Sequence, residues 1–450
     1  MNDRILLSGW GRTMPSAAEV RTPGSRAELA KSILDIGSRG VIARGLGRSY
    51  GDASQNAGGV VVDATSAADT EFPPIGADGV VTVTAGTSLE AMMQQYVPQG
   101  FFLPVSPGTR FVTVGGAIAS DVHGKNHHTD GSFMDHVRSL RLAVPDGSTV
   151  EVTPGDDLFW ATAGGMGLTG VVVDATIALR SIESSAIAVD TDRTPDLESA
   201  LALMSEEDDH YHYSAAWIDL MATGRQMGRC VLYRGEFAAR DALPRTRQRD
   251  PLAFSTHTIA VAPSTPTGLL NRASLRAFNE GYFRVAPRRR RGELQSITRF
   301  FHPLDIIDRW NRLYGPSGFI QWQPVVPFGA ESTLHHIVEA LSTSGTPSFL
   351  SVLKRFGPGN RGHLSFPMRG WTLSLDLPVA HGPALGQLLD ELDRRVADVG
   401  GRVYFAKDSR MRPELVPVMY PRLEEWRAVC AAADPHGVLQ SDLARRLHLR

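Results

Sequence analysis

The sequence predicts an α+β protein of two domains, on three observations. At 450 residues the chain exceeds a usual single domain and has length to bury a core in each of two. Up to about residue 180, short β-branched runs alternate with helical patterns. After the polar linker Ser181-Ile182-Glu183-Ser184-Ser185 the texture changes to longer strands with helices between them.

Taken in order, Gly40-Val41-Ile42 reads as a strand that runs into Ala43-Arg44-Gly45-Leu46-Gly47-Arg48-Ser49-Tyr50-Gly51-Asp52. Glycines among polar side chains directly after a strand let backbone N–H groups approach a diphosphate closely. The spacing G-x-G-x-x-x-G misses the dinucleotide fingerprint by one residue, and no helical pattern follows. A phosphate cradle of another kind therefore competes with a glycine turn that merely punctuates a loop. Val60-Val61-Val62-Asp63 and residues 79–86 read as strands, and Ser88 caps a helix that runs to Tyr96.

A second turn, Pro104-Val105-Ser106-Pro107-Gly108-Thr109-Arg110, leads into Val112-Thr113-Val114-Gly115-Gly116-Ala117-Ile118-Ala119-Ser120. Small residues here suit a tight helix start whose free N–H groups face an anion. Asp121-Val122-His123-Gly124-Lys125-Asn126-His127-His128 then supplies donors beside it. Two such turns about sixty residues apart suggest one long, diphosphate-bearing ligand. Residues 139–144 read as a strand that ends in the turn Pro145-Asp146-Gly147-Ser148. Gly165-Met166-Gly167-Leu168-Thr169-Gly170 matches G-x-G-x-x-G, but a helical pattern precedes it and a strand, 171–176, follows. That order reverses what a dinucleotide fold requires, and a helix C-cap glycine competes for the turn.

In the second part, 213–219, 319–326 and 371–377 read as strands, with helices over 332–342 and 386–397. An antiparallel sheet with helices on one face is expected, forming a substrate domain. Gln321 and Gln323 share one face of their strand, opposite Ile320 and Trp322. Two adjacent amides can fix sugar hydroxyls, or simply form a solvated side. Lys354, after Ser351-Val352-Leu353, meets either a phosphate or solvent. His123 competes with a satisfied core histidine, and Lys407, at the end of Tyr404-Phe405-Ala406, with a surface lysine. Residues 251–291 have loop composition and end in Arg288-Arg289-Arg290-Arg291, which either docks on anionic headgroups or remains a solvated, disordered loop.

Composition narrows the function. With 46 Lys+Arg against 48 Asp+Glu, a whole-surface nucleic-acid binder is excluded. Cys230 and Cys430 stand alone without a C-x-x-C, so neither a disulfide framework nor a metal site is expected. The N-terminal apolar run is too short for a signal peptide, and no stretch of about 18 apolar residues occurs; a soluble, cytoplasmic chain is expected.

The turns Arg44-Gly45-Leu46-Gly47-Arg48-Ser49-Tyr50-Gly51-Asp52 and Thr113-Val114-Gly115-Gly116-Ala117-Ile118, with His123-Gly124-Lys125-Asn126-His127-His128, resemble the FAD-binding half of the vanillyl-alcohol-oxidase, PCMH-type flavoproteins. Within that superfamily the chain is similar to the decaprenylphosphoryl-β-D-ribose 2-oxidase family, nearly end to end. The likeness includes Gly9-Trp10-Gly11-Arg12-Thr13, Phe301-His302-Pro303-Leu304-Asp305, Ala406-Lys407-Asp408-Ser409-Arg410 and Ser441-Asp442-Leu443-Ala444-Arg445-Arg446.

The resemblance implies a two-domain vanillyl-alcohol-oxidase-like fold: an FAD-binding domain over 1–184, a substrate domain over 185–401, and a return to the first domain over 402–450. It implies FAD contacts from Arg44, Gly45, Leu46, Gly47, Arg48, Ser49, Tyr50, Gly108, Thr109, Thr113, Val114, Gly115, Gly116, Ser120, His123, Gly124, Asn126, Val172 and Tyr404. Lys407 is implied as base or proton relay, His123 as orienting group, and Gln321, Gln323, Lys354, Ser374 and Trp217 as substrate contacts. The implied activity is oxidation of the 2-hydroxyl of a polyprenyl-phosphoryl pentofuranose to the 2-keto sugar. A short-chain reductase would complete an epimerisation for arabinan precursors, with peripheral contact at the inner membrane face. FAD is expected to be non-covalent, because Arg48 stands where covalently flavinylated members use a histidine. The other readings are an oxidase of a free alditol or aldonolactone, and a flavin-binding protein without turnover. Two departures from the family bear on substrate preference: Ser374 replaces a cysteine and Phe301 a tyrosine.

Overall fold

The computed structural model describes residues 4–256, 258–265, 271–346, 348, 350–379 and 382–450. Strands Ile5–Leu7, Ser16–Arg21, Val60–Asp63 and Val41–Arg44 form a four-stranded sheet in that order, the last three parallel. A second, antiparallel sheet runs Val80–Thr84, Val171–Ala178, Val137–Ala143, Thr149–Val152. The turn at 145–148 closes the hairpin between its last two strands, as its composition predicts. Helix Leu89–Tyr96 starts where Ser88 Oγ accepts from the Ala91 N–H at 3.1 Å. The short helix Val114–Ala119 starts likewise at Thr113, whose Oγ1 accepts from the Gly116 N–H at 3.1 Å.

The second part is built on a nine-stranded antiparallel sheet. Its path is Arg289–Ser296, Ala186–Thr194, Cys230–Phe237, Tyr213–Ile218, Ser351–Phe356, Gly370–Pro378, Pro324–Pro327 and Arg402–Val403, with Phe319–Trp322 also pairing Gly370–Pro378. The expected single strand over 319–326 is thus two, broken at Gln323, where Pro324 has no N–H to continue the ladder. Helices Leu197–Glu207, Glu331–Ser344 and Gly382–Asp398 bury Leu201, Ile337 and Leu389 in one core with Leu232, Leu353 and Leu373 of the sheet. Strand alternation then turns Val352, Lys354 and Ser374 to the opposite face. That opposite face carries the site.

Residues 251–291 depart from the loop expectation. Arg272–Val285 is a helix, and Arg289–Ser296 is an edge strand paired with Ala186–Thr194. The arginine run can order because carboxylates face it: Arg291 pairs with Asp190 and Asp192, and Arg290 with Glu293. At the C-terminal end, Leu439 bridges Val41 in parallel, Asp442 accepts from the Ala57 N–H, and Arg446 pairs with Asp52 and Asp408. Cys230 and Cys430 are both buried and free. Among the described residues no helix is long and apolar enough to cross a membrane.

Candidate active site

The site is assembled by close backbone approaches that only glycine allows. A Cβ on Gly45 would lie 2.2 Å from Thr113 Oγ1, so the two glycine turns, distant in sequence, touch. A Cβ on Gly51 would lie 2.0 Å from the Asp408 carbonyl, and the Tyr50 N–H donates to the Ala406 carbonyl at 2.9 Å. The first turn is thereby wedged between the second turn and the 404–410 segment. Trp10 packs against it, with the Arg48 guanidinium 3.8 Å above its ring. The second turn is clamped by the 301–305 motif: His302 Nε2 lies 2.8 Å from Ser106 Oγ, and Asp305 accepts from the Arg110 N–H at 2.7 Å and the Thr109 hydroxyl at 2.9 Å.

Between these turns and the free face of the large sheet lies one cavity. Residues 44–50, Gly108, Thr109, Thr113, Gly115, Gly116, Ser120, His123, Gly124, Val172, Tyr404 and Lys407 line it together with Trp217, Gln321, Gln323, Lys354 and Ser374. Val114 and Asn126 do not. Val114 is fully buried in the core, with its N–H given to the Thr87 carbonyl. Asn126 spends its amide on the Pro104 carbonyl at 2.8 Å and on Asp130 at 2.7 Å, a structural clamp rather than a lining group. Among the further lining residues, Trp10 and Lys125 sit in the motifs Gly9-Trp10-Gly11 and His123-Gly124-Lys125, whereas Tyr233 and Tyr282 carry no position-specific signal.

Five basic side chains line the cavity, Arg44, Arg48, Lys125, Lys354 and Lys407, and among the described residues no carboxylate does. Carboxylates behind the lining face three of them, Asp63 for Arg44, Asp305 for Arg48 and Asp376 for Lys407, whereas Lys125 and Lys354 have none among the described residues. A buried cation without a counter-charge is costly, so these two call for an anionic ligand. Arg48 Nε is buried without a hydrogen-bond partner among the described residues. Lys125 Nζ donates to the Phe300 carbonyl at 2.5 Å and lies 4.2 Å over the Phe300 ring; burial, with Lys354 adding, pushes it down to about 7. Burial likewise pushes Lys354 down to about 8. Lys354 Nζ lies 3.3 Å from His123 Nδ1, and the Gln323 amide 2.9 Å from His123 Nε2. Burial and then Lys354 hold His123 far below the usual imidazole range, so the ring is neutral, with one donor and one acceptor nitrogen.

Lys407 stands over the Tyr50 ring at 4.1 Å. Burial lowers its proton affinity; Asp376 opposes this and Lys354 adds to it. Asp376 lies behind the lining, where its carboxylate accepts from the Gln321 amide and, at 3.3 Å, from the Tyr314 hydroxyl. Burial raises it above the carboxylate range. Gln321 and Gln323 are both buried and face the cavity, so the solvated alternative for this strand is overturned. The glycine cradle and the unpartnered Arg48 Nε fit a diphosphate dinucleotide, and the lysine end fits a smaller anion beside it.

Taken with the scaffold, this geometry defines an FAD-binding oxidoreductase of the vanillyl-alcohol-oxidase, PCMH-type class. A family model described as an FAD binding domain matches residues 17–153. The chain is 44% identical to decaprenylphosphoryl-β-D-ribose oxidase of Mycolicibacterium smegmatis, over 98% of this chain and 97% of that one. An uncharacterized protein of Streptomyces coelicolor is 41% identical over 80% of this chain and 100% of its own length. Alditol oxidase of a Streptomyces species is 26% identical over 38% of this chain and 41% of its own. The chain belongs to the decaprenylphosphoryl-β-D-ribose oxidase family. It is an FAD-dependent oxidoreductase.

Proposed function

We propose that the protein oxidises the 2-hydroxyl of a polyprenyl-phosphoryl pentofuranose of the decaprenylphosphoryl-β-D-ribose type to the 2-keto sugar. The observation that carries this reading is the set of basic side chains lining a cavity without a carboxylate. Arg48, with its Nε unpartnered among the described residues, stands at the first glycine turn and suits the diphosphate of FAD, and Arg44, which donates to the Ser8 and Ser54 carbonyls, braces that turn. Lys125 and Lys354 lie near the sheet and suit a phosphoryl sugar. An alditol or aldonolactone is neutral and would leave those two lysines uncompensated. The similarity to alditol oxidase covers only 38% of this chain.

Bound FAD supplies the hydride acceptor. Lys407, desolvated and only partly held in its charged form, takes the proton of the 2-hydroxyl. Gln321 and Gln323 fix sugar hydroxyls. His123, neutral and held between Lys354 and Gln323, orients the sugar without competing for the proton. Residues 1–184 and 402–450 form the cofactor domain in this reading, and 185–401 the substrate domain. A short-chain reductase is the expected partner, because a keto sugar must be reduced from the other face to complete an epimerisation. The protein works in the cytoplasm, peripherally at the inner membrane face.

Lys354→Met is expected to raise KM for a polyprenyl-phosphoryl ribose about 10- to 100-fold with a smaller loss in kcat, the effect of removing one charge-assisted bond to the phosphoryl group. Steady-state kinetics check it; an unchanged KM would separate Lys354 from the phosphate. FAD is expected to leave the polypeptide on acid or heat denaturation, since Arg48 is too weak a nucleophile to bond the flavin. Flavin absorbance remaining with the precipitated chain would contradict this.

A further inference from the structure

We propose that helix Arg272–Val285, with the start of the edge strand Arg289–Ser296, is the face by which the protein docks on an anionic lipid monolayer, directly beside the cavity mouth. The proposal rests on the polyprenyl-phosphoryl reading above for its purpose, though not for its geometry. Tyr282 of the helix lines the cavity, its ring 4.7 Å from that of Trp217 and its hydroxyl 2.6 Å from the Tyr233 hydroxyl. Tyr282 is also 36% exposed, so the helix forms the wall where the cavity meets the surface.

Phe278, Tyr282 and Val285 recur at i, i+4 and i+7 and so share one face of that helix, beside the buried Leu275 and Asn279 that seat it on the protein. They are 47%, 36% and 87% exposed. Single exposed apolar side chains are ordinary on a protein surface. Here three form a continuous stripe that starts at the opening, and basic charge surrounds them. Residues 272–291 hold seven arginines and one glutamate, in a chain whose net charge is −2. Arg284 pairs with Glu280, Arg290 with Glu293, and Arg291 with Asp190 and Asp192. Arg276, Arg288 and Arg289 are exposed, with no ion-pair partner among the described residues.

Positive charge on a sheet edge also discourages edge-to-edge pairing, which accounts for Arg289 and Arg290. It accounts for neither Arg276 nor the apolar stripe, which lie on the helix. An apolar helix face flanked by arginines is what lies in a headgroup layer, with the apolar side chains at the acyl boundary and the cations on phosphates. Seated so, the part of the cavity wall that Tyr282 brings to the surface faces the monolayer, and a phosphoryl sugar can enter beside it while its polyprenyl tail stays in the lipid.

The test uses the full-length FAD-bound protein and vesicles of phosphatidylglycerol with phosphatidylcholine, compared with phosphatidylcholine alone. The protein should sediment with the anionic vesicles and not with the neutral ones. The variant Val285→Ser/Arg288→Gln/Arg289→Gln, which replaces no lining residue, should lose at least about tenfold in partition coefficient. It should oxidise a short-chain, water-soluble polyprenyl-phosphoryl ribose at the parent rate and a vesicle-embedded long-chain one more slowly. Equal sedimentation with both vesicle types, no sedimentation at all, or undiminished binding by the variant would overturn the docking face. If vesicle binding behaves as stated but no polyprenyl-phosphoryl ribose reduces the flavin, the docking face stands and the substrate reading falls.

Discussion

Replacing Lys407 with methionine is expected to leave FAD bound and to slow anaerobic flavin reduction by substrate about 10²- to 10⁴-fold, the usual contribution of a positioned base. Methionine keeps the unbranched apolar stem over the Tyr50 ring and removes only the amine. The cofactor contacts lie at the glycine turns and should not notice. The parent enzyme should show reduction rates that climb with pH through an inflection below the ordinary lysine range, because burial disfavours the ammonium form and the neutral amine accepts the proton. The methionine variant should lose that inflection. Asp376 favours the ammonium form, so Asp376→Asn should move the inflection to still lower pH. Stopped-flow reduction across pH measures all three, and near-parent rates in the Lys407 variant would remove it from the chemistry.

Asp305→Ala is expected to do the reverse, destabilising the fold and emptying the cofactor site while touching no reacting atom. Asp305 and Arg110 each have side chains only 1% exposed, with Arg110 Nη1 3.8 Å from the carboxylate. Removing the carboxylate strips the acceptor from the Arg110 N–H and the Thr109 hydroxyl, and leaves the guanidinium to Glu90 and to the backbone carbonyl of residue 305. Breaking a buried pair in this way costs about 3–5 kcal/mol. Because Gly108 and Thr109 line the cavity, FAD content should fall together with the unfolding temperature. A variant that melts with the parent and keeps a full complement of FAD would show that the 301–305 motif does not hold the second turn.

Much of this was legible in the sequence for definite physical reasons. Strands such as Val60–Asp63 and Val137–Ala143 and the capped helix Leu89–Tyr96 carry strong local periodicity and caps. The glycine turns show themselves because no other residue permits the contacts between Gly45 and Thr113, or between Gly51 and Asp408. The roles of Asn126 and Val114 were not readable: a short polar or apolar residue within a cofactor motif can face the ligand or clamp the loop behind it, and only the tertiary partners decide. The same holds for 251–291, where like charges argue for disorder until Asp190, Asp192 and Glu293 are brought opposite them by strand pairing. Asp376, three residues beyond the buried Leu373 and two beyond Ser374, gave no hint that it would sit behind Gln321 and near Lys407. That proximity depends on the pairing of Phe319–Trp322 with Gly370–Pro378.

The central claim is that this cavity oxidises a phosphoryl-linked pentofuranose. Anaerobic mixing of the FAD-bound protein with a polyprenyl-phosphoryl-β-D-ribose, followed at the flavin absorbance, tests it most directly. The account predicts bleaching of the oxidised flavin by that compound and none by free ribose, xylitol or an aldonolactone. Bleaching by the free polyol or lactone with no response to the phosphoryl ribose would contradict it.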